Sequence, residues 1–307
     1  MSDKITPDAS LALAGSMGLA RAKMLYPRPE LAGLIPFVFV RDTRGAQLSF
    51  SQRFNYFAAS PLCALSFSLT GVGHVLTAKE DFLEPRNGWV PPALCFVGPH
   101  PKPMASWNPG DVHGMIVCFY PDAFRMLTGT NLSDYKQRYI PMEDVVGGAL
   151  LEAAQRVLEP GSVAERFDRL QDVLTHQWKE KRPQASGIAN RVADWVRLTI
   201  MRAAMSPTGK SLRQFERRLK GLAGMSKREL EAHAKAEETF ALALKAQKEE
   251  EFDLADIAAN AGFADQSHMG RLARRITGHS PEKLMHAIEA EEAYWSYRLV
   301  GAHILNR

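Results

Sequence analysis

Arginine side chains recur at a fixed interval in the second half of this 307-residue chain. Arg217 lies 54 residues before Arg271, and Gly224 lies the same distance before Gly278. A guanidinium group carries parallel N–H donors, which match the acceptor edge of a guanine base or the oxygens of a phosphate. The spacing therefore suggests two equivalent helices whose chemistry is the recognition of a nucleic acid.

The later copy has the pattern of two helices joined by a turn. Asp253 is a cap for the first helix, Gly262 breaks it, and Asp265 caps the second helix. On the second helix an apolar face contains Met269, Leu272, Ala273 and Ile276. The opposite face contains Ser267, Gly270, Arg271 and Arg274. We call it the second front, because the equivalent face of the earlier copy, described next, is the first front. Glycine keeps this face flat, so that it can press against a surface.

The earlier copy covers residues 211–222. Ser211 and Gln214 form a candidate capping box, and an apolar back consists of Leu212, Phe215, Leu219 and Leu222. The first front contains Arg213, Glu216, Arg217 and Lys220. Between the copies, residues 227–246 predict a long helix that serves as a rigid spacer. Two such helices fit adjacent major grooves on one side of B-DNA, roughly 34 Å apart.

Taken alone, the basic face of either copy is also typical of an ordinary helix whose charged side chains face solvent. The repetition of the pattern is what favours the recognition of DNA bases. Residues 209–307 hold 16 Lys and Arg against 15 Asp and Glu, a net charge of +1. Because the cations concentrate on the two fronts, we expect an oriented, sequence-specific binder rather than a general nucleic-acid coat. The whole chain is only mildly basic, with a net charge of +4.

The first half has the pattern of strands. Short apolar runs at 35–40, 64–69, 93–98 and 114–120 alternate with turns rich in glycine and proline. A helix is predicted after Pro121, with Gly129 as its end. These short strands predict a sandwich or a small barrel. From residue 143 onward the apolar spacing becomes helical.

The segment LADIAANAGFADQSHMGRLARRITGHSPEKL, with its A-x-x-x-G-F turn and closing T-G-x-S-P, resembles the C-terminal motif of the AraC/XylS family of bacterial transcription regulators. The resemblance implies two helix-turn-helix units joined by a long helix, over roughly 188–286. It also implies DNA-reading positions on both copies: Arg213, Glu216 and Arg217 in the first, and Gln266, Ser267, Gly270 and Arg271 in the second. Lys220 and Arg274 are added as cations beside them.

The sequence departs from this family at two positions. Pro207 falls within the scaffold helix of the first unit, so we expect that helix to end near Met205. Ala273 stands where the family usually has a large aromatic residue, which predicts a looser core in the second unit. The chain continues past the motif in an extra helix that carries Tyr294, Trp295 and Leu299. We expect it to pack on the DNA-binding domain, with a dimer contact as the alternative.

The predicted class is α+β, with a β-rich, cupin-like barrel followed by an all-α double helix-turn-helix domain. The cupin-like character is implied by a looser resemblance of residues 26–178 to the sensor domain of some of these regulators. The predicted boundaries are a flexible tail at 1–20, a sensor-like domain at 21–178, a linker at 179–187 and a DNA-binding domain at 188–307.

Three other functions stay open. A metal-dependent, cupin-type enzyme with an accessory DNA-binding domain needs several ligands, but His74, His100 and His113 are far apart in sequence. An alkyltransferase needs a cysteine beside a base, and none of the three cysteines has one nearby. A ligand-sensing module needs an apolar pocket, for which the candidate lining residues are Trp107, Phe67, Phe96 and Phe119.

The expected function is a transcription regulator that places its helices at about 211–222 and 265–276 in DNA. We predict no enzymatic activity, catalytic residue, metal or cofactor. The expected partners are double-stranded DNA, a small-molecule effector and a second copy in a homodimer. The three cysteines lie in apolar stretches and no run of 18 apolar residues exists, so we expect a cytoplasmic protein without a membrane partner.

Overall fold

The computed structural model describes residues 20–182, 191–205 and 211–306. In this part of the chain, strands occupy the first half and helices the second, which confirms the predicted α+β class. No helix among the described residues is long and apolar enough to span a bilayer. Of the predicted tail at 1–20, residues 1–19 lie outside these ranges. Of the predicted linker at 179–187, residues 183–187 lie outside them.

The β-rich half contains two antiparallel sheets. Its strands in the described residues are β1 (Arg21–Leu25), β2 (Val38–Asp42), β3 (Phe54–Phe57), β4 (Cys63–Thr70), β5 (His74–Leu76), β6 (Leu94–Val97), β7 (Met104–Trp107), β8 (His113–Phe119) and β9 (Tyr139–Pro141). The larger sheet has the order β1-β2-β8-β4-β6-β9, and the smaller has the order β3-β7-β5. Strands β2, β4, β6 and β8 correspond to the four apolar runs predicted from the sequence.

Strands β4 and β8 form the centre of the larger sheet. They pair from Cys63 opposite Phe119 to Thr70 opposite His113, with a bulge after Ser68. Alternate residues point to the same face of a strand, and here they point into the core. The buried side chains of these two strands include Leu65, Phe67, Met115 and Val117.

The helices of the described residues are α1 (Pro121–Thr128), α2 (Gly148–Val157), α3 (Val163–Lys181), α4 (Val192–Met205), α5 (Leu212–Ala223), α6 (Lys227–Lys248), α7 (Leu254–Asn260), α8 (Gln266–Thr277), α9 (Pro281–Ala290) and α10 (Trp295–Leu305). Gly129 ends α1 in the left-handed conformation, as predicted. Helix α4 is described as far as Met205; the predicted effect of Pro207 on its end falls on residues 206–210, which lie outside the described ranges.

The repeated sequence motif marks the same structural feature twice, namely the end of one helix and the beginning of the next. Gly224 and Gly278 follow α5 and α8 with φ angles of +70° and +83°, a region in which only glycine is unstrained. Ser226 and Ser280 then stand at the N-caps of the next helices, α6 and α9. Each copy is therefore a helix that ends at a glycine and is followed by a helix that begins after a serine N-cap.

Two hydrophobic clusters join the β-rich half to the helical half, one through α5 and the other through α8. The larger cluster combines the larger sheet and α1–α3 with the buried side of α5, including Leu219 and Ala223. The smaller cluster combines the smaller sheet with the second unit, where Trp107 packs in the same cluster as Met269 and Ile257. The tertiary fold thus gives each helix-turn-helix unit its own contact with the β-rich half.

The extra C-terminal helix packs between the two halves rather than on the DNA-binding domain alone. The indole N–H of Trp295 donates to Asn55 Oδ1 at 2.9 Å, and the hydroxyl of Ser296 donates to the carbonyl of Tyr56 at 2.7 Å. Just before α10, Glu292 forms a 2.6 Å ion pair with Arg41 of β2. This segment fastens the C-terminal domain to strands β2 and β3.

Candidate nucleic-acid interface

The first front projects from α5 into solvent. Arg213, Arg217 and Lys220 are exposed, and Glu216 is half-buried. The helix begins with the predicted capping box, in which Ser211 Oγ accepts from the Gln214 N–H and Gln214 Oε1 accepts from the Ser211 N–H. These two hydrogen bonds pair backbone N–H groups that the first turn of a helix otherwise leaves unpaired, and they fix the residue at which α5 begins.

The buried face of α5 contains three of the four apolar residues predicted for it. Leu219 is buried, and Phe215 and Leu222 are half-buried, but Leu212 is 84% exposed. Leu212 is the first helical residue, and the buried contacts of α5 lie toward its C-terminal half. The prediction that Leu212 belongs to the back is therefore wrong.

The second front projects from α8, where Asp265 caps the helix by accepting from the His268 N–H at 2.7 Å, as predicted. Gln266, Ser267, Arg271 and Arg274 are exposed. Gly270 is buried, because the guanidinium of Arg274 lies over it: a Cβ at this glycine would meet Arg274 Nη1 at 3.5 Å.

The basic side chains of both fronts are unpaired. Across residues 20–182, 191–205 and 211–306, no salt bridge involves Arg213, Arg217, Lys220, Arg271 or Arg274. Elsewhere arginine is used structurally, as in the 2.9 Å pair of Arg202 with the buried carboxylate of Asp122. The guanidinium groups of the fronts are thus available to an external anion or base edge.

The β-rich half contacts the C-terminal ends of both α5 and α8. Arg125 of α1 donates from Nη1 to the carbonyl of Gly221 at 2.7 Å, where a cation complements the helix dipole. On the other unit, the Ala59 N–H donates to the carbonyl of Ile276 at 2.7 Å. Neither contact could be predicted from the sequence, because each joins two residues that are far apart along the chain and belong to no common motif.

An apolar cavity of about 390 Å³ lies between the β-rich half and the second unit. Its wall on the helical side includes Leu272, Ala273 and Ile276 of α8. The small Ala273, which predicted a looser core, therefore borders open space. The candidate lining residues Trp107, Phe67, Phe96 and Phe119 belong to the hydrophobic clusters, as is usual for aromatic residues in strands, and none of them borders this cavity.

Two buried histidines lie at the same interface. His100 follows β6 and His233 belongs to α6, and the Nε2 atom of each has no hydrogen-bond partner among the described residues. Burial lowers the pKa of His100 to about 4. Burial, followed by the nearby charges of His100 and Arg275, lowers the pKa of His233 to about 3. Both rings are neutral at neutral pH.

We expect the free energy of unfolding to fall as the pH is lowered from about 6.5. In the unfolded chain both rings titrate near the ordinary value of 6.5, so the unfolded state binds more protons than the folded state below that pH. The stabilisation by the neutral rings is complete above pH 6.5 and is lost toward the folded pKa values. At pH 5 the loss is about 2 kcal/mol for each ring.

Urea unfolding at pH 7.5 and pH 5.0 measures this loss. His233→Met removes one titrating ring and should make stability less dependent on pH. His176→Asn is the control, because the His176 side chain is exposed and should contribute little. Identical pH slopes for His233→Met and the unaltered protein would contradict the assignment.

The cysteines are buried, as predicted, and are poor nucleophiles. Burial raises the pKa of Cys63 well above its usual value and raises those of Cys95 and Cys118 to about 12. No thiolate is therefore available for alkyl transfer. Across the described ranges, no group of three or more His, Cys, Asp or Glu side chains is arranged to hold a metal ion.

Comparison with known proteins finds a match in the C-terminal half. Residues 206–287 match the family model of a helix-turn-helix domain. The chain has structural similarity to the crystal structure of ToxT from Vibrio cholerae O395, with a TM-score of 0.36, 9% identity, and coverage of 78% of this chain and 95% of that chain.

Two further solved structures have similar low scores. Unsaturated fatty acid-bound wild-type ToxT from Vibrio cholerae strain SCE256 gives a TM-score of 0.37 and 11% identity over 81% of this chain and 94% of that chain. The AraC-like transcriptional activator CuxR gives 0.29 and 13% identity over 92% of this chain and 85% of that chain. The comparison with curated proteins gives no match.

Proposed function

Since the chain carries an AraC-type helix-turn-helix domain at its C-terminus, we propose that it is a sequence-specific transcription regulator that reads DNA with two helices. Helices α5 and α8 enter adjacent major grooves through the first and second fronts. Arg217 and Arg271 each contact a guanine edge, and the neighbouring cations contact phosphates. The boundary between the sensor-like and DNA-binding domains is proposed at 179–187.

The observation that carries this proposal is the equivalence of the two fronts. Arg217 and Arg271 are both exposed and occupy the same position before the glycine stop of their helices. Neither forms a salt bridge within the described ranges, so binding DNA breaks no internal ion pair. A merely solvated charged face needs no such repetition.

A footprint on DNA selected from random sequence tests the two-helix arrangement. We expect two protected major-groove segments per monomer, with centres about one helical turn apart. Arg217→Ala should weaken protection of one segment and Arg271→Ala protection of the other. A single segment that is equally protected in both variants would contradict the reading of DNA by both helices.

We further propose that a small apolar effector controls DNA binding from the cavity beside α8. The cavity is bordered by Ala59, whose N–H bonds the end of α8, and by Leu272, Ala273 and Ile276 of that helix. A ligand there contacts the β-rich half and the back of the second recognition helix together. Its binding energy can therefore shift the position of that helix.

The fluorescent probe 1-anilinonaphthalene-8-sulfonate, an anion whose aromatic rings bind apolar surfaces, tests the cavity. We expect saturable binding to the unaltered protein and at least tenfold weaker binding to Ala273→Phe, because the new ring fills the space. Ala259→Phe adds the same ring at an exposed position of α7 and should bind the probe normally. Probe binding should also change the affinity for selected DNA. Equal probe binding by both variants would exclude this cavity as the site.

A further inference from the structure

A second cleft, of about 400 Å³, opens where strands β1 and β2 meet the start of α3. Its lining carries four basic side chains, which are Arg21, Lys23, Arg44 and Arg166. His113 and Asp42 complete the charged and titratable groups of the lining. None of these residues belongs to the two fronts or to the cavity beside α8.

The positive charge of this cleft is largely uncompensated. The carboxylate of Asp42 is held by Arg44, whose Nε and Nη2 each donate at 2.9 Å, and this contact lowers the pKa of Asp42 to about 2. Within the described ranges, Arg21 and Lys23 form no salt bridge. Among the described residues, the partners that accept from Arg166 are the backbone carbonyls of Val157 and Gly161. In that part of the chain, three cations therefore face the cleft without a carboxylate in an ion pair.

His113 lines the same cleft. It is 8% exposed, and its ring forms no hydrogen bond within the described ranges, but neither ring nitrogen is fully enclosed. Burial lowers its pKa, the charge of Asp42 opposes this shift, and the charges of Arg44, Arg166 and Lys23 add to it, which together favour the neutral ring. A neutral imidazole among cations can donate one N–H to an anion. The start of helix α3 at Ser162 also borders the cleft, where its capping box with Glu165 already uses the Ser162 N–H and hydroxyl.

From these contacts we propose that the cleft binds the phosphate group of a small molecule. A phosphate dianion accepts several charge-assisted hydrogen bonds at once, which suits Arg21, Lys23 and Arg166. The cleft volume exceeds the size of one phosphate and leaves room for an organic part. The enclosed position of His113 favours a small ligand over the backbone of duplex DNA. This inference does not depend on the proposed DNA-reading function.

Calorimetric titration of the full chain tests the site, with inorganic phosphate, glycerol phosphate and adenosine monophosphate as probes. The ionic strength is held constant with sodium chloride. We expect saturable, one-site binding of at least one phosphate compound, and the ranking of the three probes identifies the organic part. The double variant Arg21→Ala/Lys23→Ala should bind that probe at least tenfold more weakly.

Two further measurements make the result decisive. The double variant should melt at the same temperature as the unaltered protein in chloride alone, and Arg213→Ala, which removes a cation of the first front, should keep full phosphate affinity. Unchanged phosphate affinity in the double variant overturns the proposal, as does the absence of saturable binding by all three probes. Loss of DNA affinity in the double variant, without phosphate binding by the unaltered protein, would identify the cleft as a DNA contact instead.

Discussion

Replacing both Arg217 and Arg271 by alanine should abolish specific DNA binding while leaving the fold intact. One bidentate contact between arginine and a base contributes about 1–3 kcal/mol, so two separate contacts contribute about 2–6 kcal/mol together. The expected loss of affinity is roughly 30-fold to 10⁴-fold. Both side chains are exposed and form no salt bridge in the described part of the chain, so the free energy of unfolding should change by less than about 1 kcal/mol.

Equilibrium binding to a selected DNA site, at one fixed salt concentration, measures this effect. Lys248→Ala is the matched control: it removes one positive charge from an exposed position of α6 that lies on neither front. It should change affinity by less than threefold. If the double variant retains the affinity and the footprint of the unaltered protein, the two fronts do not read DNA.

The largest expected effect on stability comes from Trp295→Ala. Trp295 is 2% exposed, and its ring makes edge-to-face contacts with Phe39 and Phe57. The guanidinium of Arg41 lies 5.2 Å from the ring centroid. Truncation removes these contacts and leaves Asn55 Oδ1 without its donor. We expect the free energy of unfolding to fall by about 3–5 kcal/mol.

The free energies of unfolding of Trp295→Ala and Trp89→Ala, measured in urea, distinguish the effect of losing a buried indole ring from the effect of losing any indole ring. Trp89 is 45% exposed, so its truncation should cost less than about 1.5 kcal/mol. Because Trp295 joins α10 to β3, its loss should also weaken the contact between the two halves, which limited proteolysis detects. Similar losses for the two variants would show that α10 does not fasten the halves together.

The sequence was most informative where structure depends on neighbouring residues. The ends of α5 and α8 follow from Gly224 and Gly278, which terminate a helix through their own backbone conformation. The caps at Ser211 and Asp265 likewise depend on residues only three positions away. Short strands such as β3 and β5 were missed, since they contain few residues and owe their stability to their pairing with β7.

The sequence left the neighbours of some buried groups open. Phe67, Phe96 and Phe119 were candidates to line a pocket, with the core as the usual alternative, and all three are buried in the larger hydrophobic cluster. Aromatic residues in a strand indicate burial, and the pattern alone does not say whether protein or ligand covers them. The extra C-terminal helix was expected on one domain, yet Trp295 and Ser296 bind strand β3 of the other half.

By itself, the sequence determined the class of the fold, the repeated helices and the basic side chains that they expose, because these depend on short-range backbone preferences and on periodicity. Only the tertiary structure decided how the β-rich half holds the ends of both recognition helices, where the apolar cavity opens, and that His100 and His233 are buried near each other. These features join residues that are distant along the chain. They depend on how whole surfaces pack, and no local pattern encodes that information.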